Sequence, residues 1–268
     1  MKLGFIGCGN MATAIIKGIL NNGIATQDEI IGADVSEESL NKVQKELDIA
    51  VTSDNKEVAK RAEVLFLSVK PQFYERVIAE IRGIIKDTQL IITIAPGKTL
   101  EWLENQFGRP VKLVRTMPNT PALVGGGITA ACHNGSVTDE DLEKVIKILK
   151  SFGKCEVIPE HLMDVVVSVS GSSPAYVFMF IEAMADAAVA GGMPRNQAYT
   201  FAAQAVLGSA KMVLETGKHP AQLKDMVCSP AGTTIDAVAA LEKNGLRNAV
   251  IEAMQKCMEK SKQLGKTD

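Results

Sequence analysis

Apolar residues recur along the first 160 positions in two alternating patterns. Short, nearly continuous runs rich in Val, Ile and Leu predict buried β-strands, and the amphipathic stretches between them predict helices. The predicted strands are 2–6, 29–33, 64–69, 90–94 and 111–116, and the predicted helices are 11–21, 37–47, 73–85 and 100–106. Such alternation is typical of βαβ units, so we expect a mostly parallel sheet with helices on both faces.

The pattern changes in the second part of the chain. Two more β-like segments, 128–132 and 154–157, flank a helix that opens at Thr138, where Asp141 completes a pattern resembling a capping box. Beyond His161 no strand pattern recurs, and the predicted helices are 175–190, 195–215, 221–227, 234–242 and 246–263. These observations predict an α/β domain over residues 1–160 and an all-α domain over residues 161–268.

The helix predicted at 175–190 is apolar on almost every side. Its only charged residues are Glu182 and Asp186, which are four positions apart and therefore share one face. A helix that is apolar all round is buried all round, and about 100 residues of helix offer few places to bury it. The pattern favours cover by a second copy of the chain, with the central helix of a monomeric bundle as the alternative.

Composition narrows the classes of function. The 268 residues are 46% hydrophobic and 22% charged with a net charge of −2, and the cations are scattered, so we expect no nucleic-acid or membrane partner. The sequence begins without a signal-peptide pattern, and its longest apolar run, 175–181, is too short to cross a bilayer. Five cysteines without a Cys-x-x-Cys pair predict a reduced cytoplasmic location, and three widely spaced histidines predict no metal site.

A glycine-rich turn follows the first predicted strand and opens the first predicted helix. Residues 7–12 read Gly-Cys-Gly-Asn-Met-Ala, the G-x-G-x-x-A form of the dinucleotide fingerprint. Gly7 permits the tight turn, Gly9 lets the backbone approach a pyrophosphate, and Ala12 allows close helix packing. The candidate cofactor-binding residues here are Ile6, Gly7, Cys8, Gly9, Asn10 and Met11, and the first domain is predicted to be Rossmann-like.

The second predicted strand ends at Asp34, where this fold commonly holds the adenosine ribose. A carboxylate there accepts hydrogen bonds from the ribose hydroxyls and repels a 2′-phosphate, which favours NAD over NADP. Ser36 and Lys42 nearby leave room for the phosphate, and helix capping is a structural alternative for Asp34. The choice between NADPH and NADH therefore stays open.

Three loops follow later strands at the edge where this fold binds ligands. They supply the remaining candidate cofactor-binding residues that the pattern indicates, which are Ser68, Val69, Lys70, Pro71, Ala95, Pro96 and Asn119. Pro71 also suits the first turn of a helix.

In the second domain, residues 228–236 read Cys-Ser-Pro-Ala-Gly-Thr-Thr-Ile-Asp before an amphipathic helix. A helix start with small and hydroxyl-bearing residues suits a carboxylate ligand, and a plain Ser or Thr N-cap is the alternative. No Ser-His-Asp, Cys-His or paired-carboxylate arrangement can be assembled, and hydride transfer from a nicotinamide needs none.

Several second-domain segments together resemble one family. Residues 171–178, 188–194, 207–213, 219–225 and 229–235, together with the start Phe5-Ile-Gly-Cys-Gly-Asn-Met, closely resemble pyrroline-5-carboxylate reductases over essentially the whole chain. The resemblance implies reduction of 1-pyrroline-5-carboxylate to L-proline, the last step of proline synthesis, with NADPH or NADH as the hydride donor. It also implies a homodimer built by the helical domain, or a larger assembly of such dimers.

The resemblance further implies roles for individual residues. Thr234 would be the substrate-facing threonine whose hydroxyl reaches the ring nitrogen, which makes it the candidate catalytic residue. Backbone amides around Gly232 and Thr233, in the loop that begins at Ser229, would hold the substrate carboxylate. Asn55 would lie near the adenosine ribose, and Lys70-Pro71 would contact the nucleotide.

Two positions depart from the family pattern. Ala231-Gly232 stands where the family usually has Gly-Gly, so the carboxylate loop has less backbone freedom. Asp34 replaces a small hydroxyl residue that is common in relatives using NADPH. The alternatives to this function are a related reductase of a β-hydroxy acid or another cyclic imine, which would use a general acid such as Lys211, and a nucleotide-sensing protein without catalysis.

Overall fold

The computed structural model describes residues 1–265. Its first part contains one sheet of eight strands in the order β3-β2-β1-β4-β5-β6-β7-β8. The strands are β1 (Leu3–Ile6), β2 (Ile30–Ala33), β3 (Ala50–Thr52), β4 (Val64–Leu67), β5 (Leu90–Thr93), β6 (Lys112–Met117), β7 (Gly127–His133) and β8 (Gly153–Val157). Strands β1 to β6 pair in parallel, whereas β7 is antiparallel to β6 and parallel to β8. The predicted Rossmann-like domain with a mostly parallel sheet is confirmed.

Helices cover both faces of this sheet. They are α1 (Asn10–Asn21), α2 (Glu37–Leu47), α3 (Asn55–Arg61), α4 (Tyr74–Ile81), α5 (Leu100–Phe107) and α6 (Asp139–Leu149). Two buried apolar clusters, one on each face, contain the side chains that alternate along β1, β4 and β5. In strand β4, for example, all four residues are buried, because both faces of the sheet are covered. This explains why the strands read as continuous apolar runs.

The sequence pattern missed two short elements and misplaced the end of a third. Strand β3 has three residues, none of them buried, and α3 has only seven residues, so neither carries enough periodicity to be recognised. The helix predicted at 73–85 is a 3-10 turn at Pro71–Phe73 followed by α4, which ends at Ile81, two residues before Gly83. The capping box at Thr138 and Asp141 is confirmed.

The remainder of the chain is helical, as predicted. The helices are α7 (Met163–Val166), α8 (Ser173–Ala190), α9 (Arg195–Thr216), α10 (Pro220–Val227), α11 (Thr233–Lys243) and α12 (Leu246–Leu264). A π-helical turn at Val167–Gly171 joins α7 to α8 and was not predicted. Such turns are rare and often occur near functional sites.

Contacts between residues group the chain into two compact units. The first contains Met1–Ser172 together with the described residues from Cys257 to Gly265, and the second contains Ser173–Lys256. The last turns of α12 belong to the first unit, where the Ser261 hydroxyl donates a hydrogen bond to the Asp164 carboxylate at 2.6 Å. The boundary predicted at residue 160, between an α/β domain and an all-α domain, stays a prediction.

Within the second unit, α8 packs against α9 but stays largely uncovered. Of its 18 residues only Ala185 is buried, while Phe178 and Met179 are 61% and 68% exposed. By length and composition alone the helical stretch Glu160–Ala190 is apolar enough to cross a membrane. The sequence pattern predicts that a single chain cannot bury this helix, and the exposed side chains of α8 agree with that prediction.

Candidate active site

The glycine-rich turn is built as the fingerprint requires. Gly7 has φ +99°, and a Cβ at that position would lie 2.7 Å from the backbone carbonyl of Ser68. Gly9 is the N-cap of α1 with φ −73°, and a Cβ there would meet no atom within 4 Å. The first turn of α1 has neither a side-chain cap nor an acidic residue. Open space in front of free helix N–H groups is the environment that a phosphate needs.

Asp34 lies directly beside this turn. One carboxylate oxygen accepts the N–H of Cys8 at 2.7 Å, and the other accepts the N–H of Ser36 at 2.9 Å. Ser36 in turn caps α2 by accepting the N–H of Ser39. Asp34 therefore ties the glycine-rich turn to the start of α2, and its predicted contact with the ribose stays a prediction.

The loop after β4 is joined to the same turn. The Ser68 hydroxyl lies 2.6 Å from the carbonyl oxygen of Gly7 and 3.1 Å from that of Ile6. Behind this loop the buried Tyr74 hydroxyl donates to the carbonyl of Leu67 at 2.5 Å and accepts the N–H of Ile94. Burial raises the pKa of Tyr74, so the phenol stays protonated and fixes two strand ends relative to each other.

A cavity of about 400 Å³ lies where β1, β2 and β4 end. Eight of the predicted cofactor-binding residues line it, namely Ile6, Gly7, Gly9, Asp34, Asn55, Ser68, Val69 and Lys70. Cys8, Asn10, Met11, Pro71, Ala95, Pro96 and Asn119 do not line this cavity. Phe73, Arg76 and Val77 line it without having been predicted, because nothing in the sequence shows that the 3-10 turn at Pro71–Phe73 and α4 border this space. A larger cavity of about 540 Å³ is lined by Lys2, Lys60 and Lys144 and contains none of the predicted site residues.

Asn119 has a structural role of its own. Its amide donates to the carbonyl of Ser170 at 3.1 Å and accepts the N–H of Ile128 at 2.9 Å, and the residue is 8% exposed. The side chain thus joins the loop after β6 to the π-helical turn and to β7. This link between distant segments has no local sequence signal.

The cysteines and histidines of residues 1–265 form neither a disulfide nor a metal-binding cluster. All five cysteines are free, and burial, followed by the Asp34 charge, raises the pKa of the Cys8 thiol to about 12. Cys8 is therefore a protonated thiol at neutral pH rather than a nucleophile. Over residues 1–265 no group of three or more His, Cys, Asp and Glu side chains is arranged to hold a metal ion.

In the second unit, the predicted substrate loop forms a tight turn before α11. The N–H of Gly232 donates to the carbonyl of Ser229 at 3.1 Å, and Ala231 has φ +56°. The N-cap of α11 is Gly232, which has no side chain with which to cap the helix. The alternative of a Ser or Thr N-cap is therefore wrong. The first N–H groups of α11 consequently keep their capacity to bind an anion.

Lys211, the candidate general acid of the rival reductase, has a simpler role. Its ammonium group lies 3.6 Å from the Glu215 carboxylate one helical turn away, and both side chains are 66% exposed. Such a pair on a helix surface is common and adds little stability.

A parallel sheet with a fingerprint turn, an open helix start and a cavity at its carboxyl edge defines a dinucleotide-dependent oxidoreductase. Residues 2–97 match the family model described as NADP oxidoreductase, coenzyme F420-dependent, and residues 160–264 match pyrroline-5-carboxylate reductase dimerisation. Pyrroline-5-carboxylate reductase from Escherichia coli (strain K12) is 53% identical over 266 residues, which are 99% of each chain. The chain belongs to the pyrroline-5-carboxylate reductase family.

Other relatives and solved structures agree with this assignment. The reductase of Methanosarcina acetivorans is 43% identical over 99% of this chain and 98% of its own. The crystal structure of the Plasmodium falciparum enzyme with NADP bound has a TM-score of 0.91 and 34% identity, with 99% of this chain and 98% of that chain covered. The Coxiella burnetii enzyme also has a TM-score of 0.91 at 34% identity, with 99% of both chains covered. The sequence-based assignment to this family is confirmed.

Proposed function

We propose that this protein reduces 1-pyrroline-5-carboxylate to L-proline with NADPH or NADH, as an NAD(P)-dependent oxidoreductase acting on an imine. The observation that carries the proposal is the 53% identity to the Escherichia coli reductase over 99% of both chains. The described site supports it, because a dinucleotide cradle is present at the carboxyl ends of β1, β2 and β4.

The cofactor is assigned to the first unit. Gly7 permits the tight turn, Gly9 leaves room for the pyrophosphate, and the N–H groups at the start of α1 bind it. Asp34 and Asn55 line the cavity suited to the adenosine. The bound nicotinamide supplies the hydride. The loops at 68–71 and 95–96 and Asn119 stand at the carboxyl ends of strands, where they would orient it.

The substrate carboxylate is assigned to the start of α11. Ser229, Gly232 and Thr233 form the turn and the uncapped helix start, whose N–H groups would bind the carboxylate. Thr234 follows within the first turn of the helix, and its hydroxyl would bind the ring nitrogen. Orientation then supplies much of the rate, since alignment of two reactants is worth about 7–11 kcal/mol in favourable cases.

Two neighbouring positions of this turn test the assignment. Ala231→Gly is expected to change stability by less than about 1 kcal/mol, because relief of the left-handed φ offsets the greater freedom of glycine in the unfolded chain. Gly232→Ala is expected to raise KM for the imine about tenfold, since its Cβ would lie 2.3 Å from the Ser229 hydroxyl oxygen and displace the turn. Steady-state kinetics and thermal melts of both variants provide the check. An unchanged KM in Gly232→Ala would contradict the carboxylate assignment.

The family match over 160–264 supports a homo-oligomer built by the helical unit, and we propose a homodimer or a larger assembly of dimers. The partner would cover the exposed apolar residues of α8 and α9, including Phe178, Met179 and Phe201. The proposed location is the cytoplasm, which suits five free cysteines.

Phe178→Glu is expected to shift the protein to monomers at micromolar concentration, because a charge inserted into an apolar interface is costly to bury. Analytical ultracentrifugation measures the change. Val124→Glu is the matched control, since Val124 is 85% exposed in the first unit and the assembly is expected to tolerate it. An unchanged sedimentation coefficient for Phe178→Glu would place the interface elsewhere.

The direct test of function follows the loss of NADPH and NADH absorbance with 1-pyrroline-5-carboxylate, in parallel, on purified protein. Turnover with either cofactor is the expected result. Cofactor binding without oxidation would show that the substrate, or the assignment of an enzyme, is wrong.

A further inference from the structure

The cavity at the carboxyl ends of β1, β2 and β4 has one cationic side chain that the sequence pattern did not indicate. Arg76 lies on α4, whose Tyr74, Val77, Ile78 and Ile81 are buried, so packing fixes the helix that carries it. Arg76 itself is exposed and lines the same cavity as Asp34. Arg76 therefore borders the cavity in which the adenosine ribose is expected.

Asp34 is less able to reject a phosphate than its position suggests. Its two carboxylate oxygens already accept the N–H groups of Cys8 and Ser36. These two donors compensate part of its negative charge and hold the carboxylate against the main chain. The group expected to exclude a 2′-phosphate is thus engaged in the fold of the turn.

The charged residues that line the cavity carry a net positive charge. Lys70 and Arg76 are the positive residues of the lining, and Asp34 is the negative one. Lys42, the cation that the sequence suggested for a phosphate, is not among the lining residues. The lining hydroxyl groups of Ser36 and Ser39 add donors that a phosphate can use.

Arg76 is also available for a ligand. Among the described residues 1–265 the Arg76 side chain has no ion pair and no hydrogen bond, whereas Arg61, Arg109, Arg115 and Arg247 each pair with a carboxylate. An arginine guanidinium without a partner at a cavity is well suited to a phosphate, which it can bind through two parallel N–H groups.

We propose that Arg76 binds the 2′-phosphate of NADPH and lets this enzyme use NADPH despite the acidic residue at the end of β2. Recognition of the phosphate thus comes from α4, which borders the same cavity as Asp34. This inference rests on the proposed function, because it concerns the cofactor of that reaction. It makes Arg76 a specificity residue and gives it no part in hydride transfer.

The test compares the two cofactors in Arg76→Ala, Arg76→Lys and the wild type. In Arg76→Ala, kcat/KM for NADPH is expected to fall by about 10-fold to 100-fold through KM, because a hydrogen-bonded charge pair is lost. For NADH the value is expected to change less than about twofold, and Arg76→Lys is expected to restore part of the NADPH activity. Arg82→Ala is the matched control, because Arg82 follows the same helix and does not line the cavity.

Binding of 2′,5′-ADP and of 5′-AMP, measured by calorimetry, tests the same point without the imine. The Arg76→Ala substitution is expected to weaken the binding of 2′,5′-ADP and to leave the binding of 5′-AMP unchanged. Equal losses for both nucleotides, or no loss for either, would overturn the proposal. A protein that binds 2′,5′-ADP through Arg76 but fails to reduce 1-pyrroline-5-carboxylate would leave this inference standing and refute the proposed function.

Discussion

Replacing Gly9 by alanine is expected to weaken the binding of NADPH and NADH about 100-fold while leaving the melting temperature unchanged. The new Cβ would meet no protein atom within 4 Å, and φ −73° suits any residue. The methyl group would instead occupy the space that a pyrophosphate needs beside the first N–H groups of α1. Fluorescence titration with each reduced cofactor, together with a thermal melt, measures both effects.

Gly7→Ala serves as the contrasting variant. Its Cβ would collide with the backbone of Ser68 at 2.7 Å, and φ +99° is strained for alanine, so both stability and cofactor affinity are expected to fall. Normal affinity in Gly9→Ala would show that the phosphates bind elsewhere. A lower melting temperature in that variant would contradict the open space seen at Gly9.

Thr234→Ala is expected to lower kcat/KM for 1-pyrroline-5-carboxylate by about 30-fold to 100-fold. The reason is the loss of a hydroxyl that would bind the charged imine nitrogen, and a hydrogen bond to a charged group contributes about 1.5–3 kcal/mol. Steady-state kinetics over a range of imine concentrations measures the loss. The affinity for NADPH is expected to stay the same, because the cofactor is assigned to the first unit.

Two further variants make this result specific. Thr234→Ser keeps the hydroxyl and is expected to recover most of the activity. Thr233→Ala removes the neighbouring hydroxyl and keeps the main-chain N–H, so we expect a loss of less than about threefold. Wild-type turnover in Thr234→Ala would remove Thr234 from the mechanism, and a fall in its melting temperature would point to a structural role.

The sequence predicted those features that depend on local pattern. Gly7, Gly9 and Asp34 follow their strands at fixed spacings, so the glycine-rich turn and its acidic neighbour could be recognised before the fold was known. The mostly parallel sheet was predicted from the same alternation of strands and helices, whereas the order of its strands was not predicted. The identity of the substrate came from whole-chain resemblance, since an anion-binding helix start does not specify a ring.

Features that depend on packing between distant segments could not be predicted. Arg76 borders the cavity because α4 packs in one buried cluster with Leu65 and Leu67 of β4. Asn119 joins Ser170 to Ile128 across gaps of 51 and 9 residues. The left-handed φ of Ala231 escaped notice because alanine rarely adopts it. Strand β3 was missed since three half-exposed or exposed residues carry no clear period.

The end of α12 has a consequence for how the protein is made. The first unit contains residues from both ends of the chain, and Ser261 and Cys257 contact Asp164 and Ser172 within it. On the ribosome, the cofactor-binding unit can therefore complete its fold only after the whole helical unit has emerged. A nascent chain stalled before residue 257 should expose this unclosed unit to proteases, and a protein that ends before Cys257 should lack part of the first unit.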